Sequence, residues 1–326
     1  MRLACSWIFL IVLALAAPAA AQPATTVVET VRDVEQPDPH AITEDIAFRI
    51  QRDRMTVPVR LSGKGPYRFL VDTGADRTAV STALVMELGL SSGPTATLHS
   101  ITGVSQVRTA NVPTLELTHN RVRSVQAPVL ERAHMGADGI LGVDSLRSQR
   151  VVFDFRTRLI SIVPSKRRMT RDEDGTIVVT GKLRRGHLIV TSAKANGVPL
   201  TVVLDTGSEM TLGNAALRAR LEARRKLNNP EIIEMTSVTG QKLVGEAFYL
   251  KRVDLGEVTL RNLVIMFSDA PIFSSLNLED RPAVLLGMNA MRAFEQFSID
   301  FARKQLRMVV PQQSSRGSMM VAAGRD

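Results

Sequence analysis

Apolar and polar residues alternate along much of the chain, and turn residues separate the alternating runs. Residues 56–61 alternate with a period of two, and residues 67–71 follow after a Gly-Lys-Gly-Pro turn. Residues 187–193 and 200–204 repeat this arrangement around an Asn-Gly turn. Period-two alternation bounded by turn residues is typical of β-hairpins. The pattern therefore predicts a mostly β protein.

A few helical segments and a second pair of hairpins complete this picture. Short helices are predicted at residues 82–88 and 214–224, and one brief helical turn is predicted after each of Gly142 and Gly287. Each half of the chain is predicted to close with a hairpin, and the strands of these two hairpins are residues 151–155, 159–163, 297–301 and 306–310.

Four short blocks of sequence occur twice in the same order. FLVDTGAD at 69–76 is matched by VVLDTGSE at 202–209, and SITG at 100–103 is matched by SVTG at 237–240. GILG at 139–142 and VFDF at 152–155 then recur as VLLG at 284–287 and SIDF at 298–301. Repetition in a fixed order indicates a duplication, which predicts two homologous lobes.

The N-terminus has the features of a secretory signal. Arg2 precedes an uncharged run over residues 3–21 that ends in Ala19-Ala20-Ala21. An uncleaved membrane anchor is the alternative, and Pro18 argues against it. We therefore expect a periplasmic or secreted protein without stable membrane insertion after cleavage. The expected segments are signal peptide 1–21, flexible leader 22–46, N-terminal lobe 47–164, charged linker 165–182, C-terminal lobe 183–311 and flexible tail 312–326.

Composition excludes several function classes. The single cysteine, Cys5, lies in the predicted signal, so neither a disulfide framework nor a thiol nucleophile is expected. The 5 histidines lack metal-ligand spacing, and we expect no metal and no cofactor. The net charge is +9, but the basic residues are scattered and aromatic residues make up only 4% of the chain. A nucleic-acid partner is therefore not expected.

The two Asp-Thr-Gly loops, each preceded by two apolar residues and followed later by an apolar-apolar-Gly block, resemble the aspartic protease superfamily. VDTGAD at 71–76 is similar to the retropepsins, whereas two lobes in one chain are similar to the pepsins. The resemblance covers residues 48–164 and 187–311 and suggests a bacterial secreted or periplasmic member. It implies an all-β fold of two homologous acid-protease β-barrel lobes, related by a pseudo-dyad, with few short helices.

By this resemblance, Asp72 and Asp205 are the catalytic pair. Two carboxyls held side by side cannot both ionise, a behaviour for which the aspartic proteases are the standard example. The resemblance implies roles for the rest of each loop as well. Thr73 and Thr206 would lock the loops together, and Gly74 and Gly207 would allow close approach of the backbone. Ala75 and Ser208 would shape the floor of the cleft. Asp76 and Glu209 would accept hydrogen bonds from substrate backbone amides.

Two further segments, 100–104 and 237–241, lie where this family places its flaps. Thr102, Gly103, Thr239 and Gly240 would then contact substrate, although ordinary hairpin turns are the alternative. The chain also departs from the family pattern. Neither segment contains the flap tyrosine of pepsins, and Val143 and Met288 replace the arginine that many retropepsins have after the apolar-apolar-Gly block. The residues that hold Asp76 and Glu209 in place are therefore left open.

The sequence thus predicts an aspartic endopeptidase that hydrolyses an extended polypeptide, with a monomeric internal pseudo-dimer as the favoured state. The alternative is a catalytically silent peptide-binding module with the same fold, and detection of peptide cleavage separates the two. A serine hydrolase is excluded because the chain has no Gly-x-Ser-x-Gly motif.

The predicted signal leads to a test of processing. Cleavage after Ala21 should give a mature protein that begins at Gln22 and lies outside the cytoplasm. N-terminal sequencing of the protein from fractionated cells measures both properties. A membrane-bound protein that retains residues 3–17 would contradict the expectation.

Overall fold

The computed structural model describes residues 55–117, 120–166, 176–227, 229–311 and 318–320. All of them belong to one structural unit. The predicted signal peptide, the predicted leader and most of the predicted tail lie outside the described residues.

Strands make up most of the described chain. In chain order they are β1 (Thr56–Leu61), β2 (Lys64–Val71), β3 (Ala79–Ser81), β4 (Ser92–Ser100), β5 (Gly103–Leu117), β6 (Asn120–Leu130), β7 (Gly139–Leu141), β8 (Gln149–Asp154), β9 (Leu159–Pro164), β10 (Thr176–Thr180), β11 (Lys182–Arg184), β12 (His187–Ala195), β13 (Val198–Leu204), β14 (Thr211–Gly213), β15 (Glu231–Thr236), β16 (Lys242–Leu255), β17 (Val258–Phe267), β18 (Ala283–Leu286), β19 (Gln296–Asp300), β20 (Gln305–Val309) and β21 (Ser318–Met320).

Short helices connect some of these strands. In chain order they are α1 (Thr82–Leu88), α2 (Arg132–Met135), α3 (Val143–Leu146), α4 (Ala215–Ala223), α5 (Pro271–Ser275) and α6 (Met288–Met291). The Ser81 hydroxyl and the Asn214 side chain each accept a backbone N–H at the start of α1 and α4, which fixes where these helices begin. No helix in the described part of the chain is long and apolar enough to cross a membrane.

The first lobe is one sheet that curls until two distant strands meet. Its strand order is β1-β2-β7-β3-β6-β5-β4, and β1 also pairs with β5. In β1, Val57, Val59 and Leu61 are buried while Pro58 and Arg60 are exposed, as its alternating sequence predicts. The inward-facing residues fill the core of the lobe.

The second lobe repeats this arrangement. Its strand order is β11-β12-β13-β18-β14-β17-β16-β15, and β12 also pairs with β16. The parallel pairs β13/β18 and β14/β17 correspond to β2/β7 and β3/β6 of the first lobe. The prediction of an all-β fold with two homologous lobes is therefore confirmed.

A third sheet joins the lobes, in the order β10-β20-β19-β8-β9. The two hairpins predicted to close the halves are both present, and they pair with each other through β8 and β19. In this pairing Val152 lies opposite Ser298, which is its own counterpart in the repeat. The pseudo-dyad of the molecule therefore passes between these two residues.

The structure differs from the sequence prediction between the lobes and near the C-terminus. The predicted linker 165–182 contains the whole of β10, which pairs with β20 at the edge of the interlobe sheet. The run Thr-Ile-Val-Val-Thr favours a strand, but it is short and directly follows a densely charged stretch that is typical of a linker. Within the predicted tail 312–326, β21 pairs with β17. Helices α2 and α5 were not predicted, because four or five residues are too few to show a helical period.

The interlobe sheet leads to a prediction about stability. Phe297 in β19 is fully buried, and its ring centroid lies 5.9 Å from that of Phe294. Phe297→Ala should lower the free energy of unfolding by about 3–5 kcal/mol, because it leaves a cavity between the lobes. Leu159→Ala is the matched control, since Leu159 lies in the same sheet but is 61% exposed, and its loss should stay near ~0.5 kcal/mol. Chemical denaturation measures both, and equal losses would contradict the prediction.

Candidate active site

Each Asp-Thr-Gly loop begins where a buried strand ends. Asp72 follows β2 and Asp205 follows β13. The Asp72 N–H donates to the carbonyl of Leu141 at 2.9 Å, and the Asp205 N–H donates to the carbonyl of Leu286 at 3.0 Å. The two apolar-apolar-Gly blocks therefore lie directly beside the aspartates and support their backbone.

The two loops are tied together by four hydrogen bonds between the threonines and the opposite lobe. The Thr73 hydroxyl donates to the carbonyl of Leu204 at 2.8 Å and accepts the Thr206 N–H at 3.1 Å. The Thr206 hydroxyl donates to the carbonyl of Val71 at 2.7 Å and accepts the Thr73 N–H at 3.1 Å. All four bonds are buried, so neither loop can shift without leaving polar groups unpaired. Both threonines therefore lie at the contact between the two loops.

The glycines bring each loop against the other lobe's carboxyl. A Cβ on Gly74 would lie 2.4 Å from Asp205 Oδ1, and one on Gly207 would lie 2.2 Å from Asp72 Cγ. Each glycine N–H also donates to the aspartate of its own loop, at 2.8 Å for Gly74 and 3.1 Å for Gly207. Any larger residue at these positions would displace a carboxyl, and the two carboxyls lie close together across the pseudo-dyad.

Burial and proximity give the pair an unusual titration. Burial, followed by the nearby negative charge of Asp72, raises the pKa of Asp205 to about 7. A free aspartate would be ionised well below this pH. The pair therefore retains one proton up to near neutral pH, with one member ionised and the other protonated.

A second threonine beyond each Asp-Thr-Gly loop is bonded to the helix that follows the apolar-apolar-Gly block. Thr78 donates its N–H and its hydroxyl to Asp144 Oδ1, at 3.0 and 2.8 Å. Thr211 donates the same two groups to Asn289 Oδ1, at 2.9 and 2.8 Å. Sequence reasoning missed these pairs, although their equivalent positions in the two copies are a signal that could have revealed them.

The acidic residues after the two loops are held by different groups. Asp76 Oδ1 lies 2.9 Å from His187 Nε2, whereas Glu209 Oε2 lies 2.9 Å from Arg292 Nη1. The side chain of Asp76 is 69% exposed, and that of Glu209 is only 8% exposed. His187 and Arg292 are therefore the residues that hold Asp76 and Glu209, which the sequence had left open. Neither was found from the sequence.

A cavity of about 1620 Å³ lies between the lobes. Both catalytic candidates line it, and so do Ala75, Asp76, Ser208 and Glu209. Its walls include residues of β4 and β15 as well as apolar side chains such as Ile101 and Ile272. In the described part of the chain, no group of three or more His, Cys, Asp or Glu side chains could hold a metal ion.

The two predicted flap segments form hairpin tips over this cavity. The Thr102 hydroxyl donates to Gln241 Oε1 at 2.8 Å, so the tips contact each other. Ile101 packs against the core of the second lobe, and Val238 packs against a cluster in the first lobe. Each tip therefore crosses to the opposite lobe.

The residues that line the cavity at these tips are neighbours of the ones predicted. They are Ser100 and Ile101 in the first tip and Ser237 and Val238 in the second. Of the predicted residues, Thr102 bonds across the tips, and the Thr239 hydroxyl lies 2.8 Å from the Ser237 hydroxyl. Gly103 and Gly240 have φ values of 138° and 82°, which favour glycine, and Gly240 lies against the His134 ring.

Comparison with known proteins identifies the family of this fold. The sequence model of a family described as aspartyl protease matches residues 57–145 and 191–290, which is more than half of the chain. The chain belongs to the aspartyl protease family. Both matched regions of this chain contain an Asp-Thr-Gly loop and an apolar-apolar-Gly block.

The chain was also compared with curated proteins and with solved structures. A search of curated proteins found no match. One similar solved structure is a retropepsin-like aspartic protease from Rickettsia conorii, with 21% sequence identity and a TM-score of 0.28. That match covers 41% of this chain and 89% of the other chain.

The titration of the aspartate pair leads to a stability prediction. Between about pH 4 and pH 7 the folded protein retains a proton on the pair that the unfolded chain has lost. The pair should therefore lower the free energy of unfolding as pH rises through this window, by up to about 1.4 kcal/mol per pH unit. Asp205→Asn removes this contribution, so the variant should gain stability relative to the parent as pH rises.

Urea denaturation at several pH values measures this difference. Asp280→Asn, at an exposed position, is the control and should follow the parent at every pH. A constant difference between parent and Asp205→Asn across the window would show that the two aspartates do not share a proton.

Proposed function

We propose that this protein is an aspartic endopeptidase that hydrolyses peptide bonds in an extended polypeptide. The observation that carries the proposal is the pair Asp72 and Asp205, held across the pseudo-dyad with a raised pKa at Asp205. A family member without activity would have no need of two carboxyls that repel each other across the pseudo-dyad. The intact loops of both lobes support a working catalytic centre.

The arrangement supports general acid–base hydrolysis. The ionised carboxyl removes a proton from a water molecule between the pair, and the water oxygen forms a bond to the peptide carbonyl carbon. The protonated carboxyl donates to the carbonyl oxygen at the same time. The tetrahedral intermediate then collapses as a proton passes to the departing nitrogen, which breaks the C–N bond and restores the shared proton.

The surroundings of the pair suit a peptide substrate. The exposed carboxylate of Asp76 can accept a backbone N–H from an extended chain at one side of the cleft. The hairpin tips cover the cavity and would have to open for a polypeptide to enter, and their closure would exclude water from the reaction. We further propose that the protein acts in the periplasm or outside the cell, on a protein or peptide partner, because the N-terminus has the features of a secretory signal.

The proposal predicts a non-additive pattern of mutations. Asp72→Asn and Asp205→Asn should each lower kcat/KM by roughly three orders of magnitude or more, because both carboxyls act on one water molecule. The double variant should be scarcely worse than either single one. A peptide library with mass-spectrometric detection of products, followed by steady-state kinetics on the best substrate, measures these changes.

Circular dichroism and denaturation of the same variants serve as the folding control, and all three should remain folded. Full activity of Asp205→Asn combined with loss in Asp72→Asn would refute the internal pair, because the first lobe would then have to work with another copy. Peptide binding without cleavage by the parent would favour the silent binding module instead.

A further inference from the structure

One buried histidine contacts the catalytic loop from the opposite lobe. His187 is the first residue of β12, in the second lobe, and it is only 1% exposed. Its Nδ1 lies 2.9 Å from the carbonyl oxygen of Thr73, and its Nε2 lies 2.9 Å from Asp76 Oδ1. The ring therefore joins the backbone of the first Asp-Thr-Gly loop to the acidic side chain at the edge of the cleft.

The chemistry of the two partners determines the protonation state of this ring. A carbonyl oxygen and a carboxylate oxygen both accept hydrogen bonds and have no proton to donate. A neutral imidazole has one N–H, so one of its nitrogens would present a lone pair to an oxygen at 2.9 Å. An imidazolium has two N–H groups and satisfies both acceptors.

We infer that His187, as an imidazolium, is a positioning residue for the catalytic pair: it fixes the Thr73 carbonyl in the first loop and orients Asp76 toward the substrate backbone. The inference rests on the proposed endopeptidase function, but the state of the ring can be measured without any substrate. His187 itself touches neither the substrate nor the attacking water.

The charges around the ring favour this state. Burial alone would lower the pKa of His187, but hydrogen bonds to Asp76 and Thr73 and the nearby charges of Asp76 and Asp205 outweigh burial and raise it. The hydrogen bond from His187 in turn lowers the pKa of Asp76, against the effect of burial, so Asp76 stays ionised. Arg77 and Arg185 lie near Asp76, and Asp72 is in the same loop as Thr73.

The pH dependence follows from the direction of this shift. Because the pKa is higher in the folded protein than in the unfolded chain, the two hydrogen bonds are fully present below the ordinary histidine pKa. They are lost as pH rises through the higher, folded value, when one nitrogen loses its proton. The positive ring also favours the ionised form of Asp205, so it lowers the pH at which the aspartate pair gives up its shared proton.

The second lobe has no counterpart of the His187 titration beside its acidic residue. Glu209 occupies the position equivalent to Asp76, and its partner Arg292 stays charged at every pH at which the protein is folded. The response that depends on His187 is therefore confined to the first-lobe side of the cleft.

The first test is nuclear magnetic resonance of the imidazole nitrogens in the intact protein. Below about pH 6.5 both nitrogens of His187 should be protonated, and the amide signals of Thr73 and Gly74 should shift at higher pH with the midpoint of His187. Asp76→Asn retains an acceptor oxygen but removes the charge, so it should lower that midpoint. One unprotonated nitrogen below that pH, or an unchanged midpoint in Asp76→Asn, would refute the inference even if the enzyme cleaves peptides.

The second test is the pH profile of kcat/KM in two variants that cannot titrate. His187→Asn keeps a donor near the Nδ1 position, and His187→Gln keeps one near the Nε2 position. Each should lower kcat/KM roughly tenfold or more at the optimum, because one side of the loop loses its support. In both variants the alkaline limb should also move to higher pH, because the aspartate pair loses a neighbouring positive charge.

A control variant separates this effect from loss of structure. Arg292→Lys retains the cation beside Glu209 and should keep the parent's alkaline limb. If the alkaline limb of kcat/KM stays at the parent's pH in both His187 variants, His187 has only a structural role and the inference is wrong. If the parent cleaves no peptide at all, the proposed function fails, and the nitrogen signals still decide whether the ring is doubly protonated and coupled to the loop.

Discussion

Two neighbouring carboxyls repel each other once both are ionised. The hydrogen bonds that Thr73 and Thr206 make across the lobes hold the two loops together against that repulsion. Each threonine donates to one backbone group of the other lobe and accepts from another. None of these four bonds involves an ionisable group, so none of them loses its donor or its acceptor when the carboxyls titrate. Gly74 and Gly207 leave room for the opposite carboxyl, which this close approach of the loops requires. The interlobe sheet lies on the same pseudo-dyad.

The sequence predicted what is encoded in contiguous residues. The Asp-Thr-Gly loops, the hairpins that deliver them and the glycine blocks beside them are local patterns, and the duplication makes each of them visible twice. It did not predict His187 beside Asp76, because these residues are 111 positions apart and nothing in their neighbourhoods links them. The pairing of β8 with β19 was missed for the same reason. Each hairpin is evident from its own alternation, but the choice of partner depends on the tertiary structure.

The two copies of the repeat are most alike at the aspartate pair, and their hydrogen-bond partners differ around it. Thr78 and Thr211 make the same hydrogen bonds, although one is satisfied by a carboxylate, Asp144, and the other by an amide, Asn289. The next acidic residues diverge further, since Asp76 is exposed beside a histidine and Glu209 is buried beside an arginine. The two ends of the cleft therefore differ in how far the acidic side chain is exposed and in which residue holds it, even though the centre is nearly symmetric.

The pairing of Val152 with Ser298 places the symmetry axis inside one polypeptide. A centre built from two separate copies is lost on dilution, whereas here the connecting chain fixes the effective concentration of one lobe around the other. A substitution in a symmetric dimer also alters both sides of the cleft at once. In a fused pair it alters one copy only, so the two halves of the cleft can diverge in sequence, as the different partners of Asp76 and Glu209 illustrate.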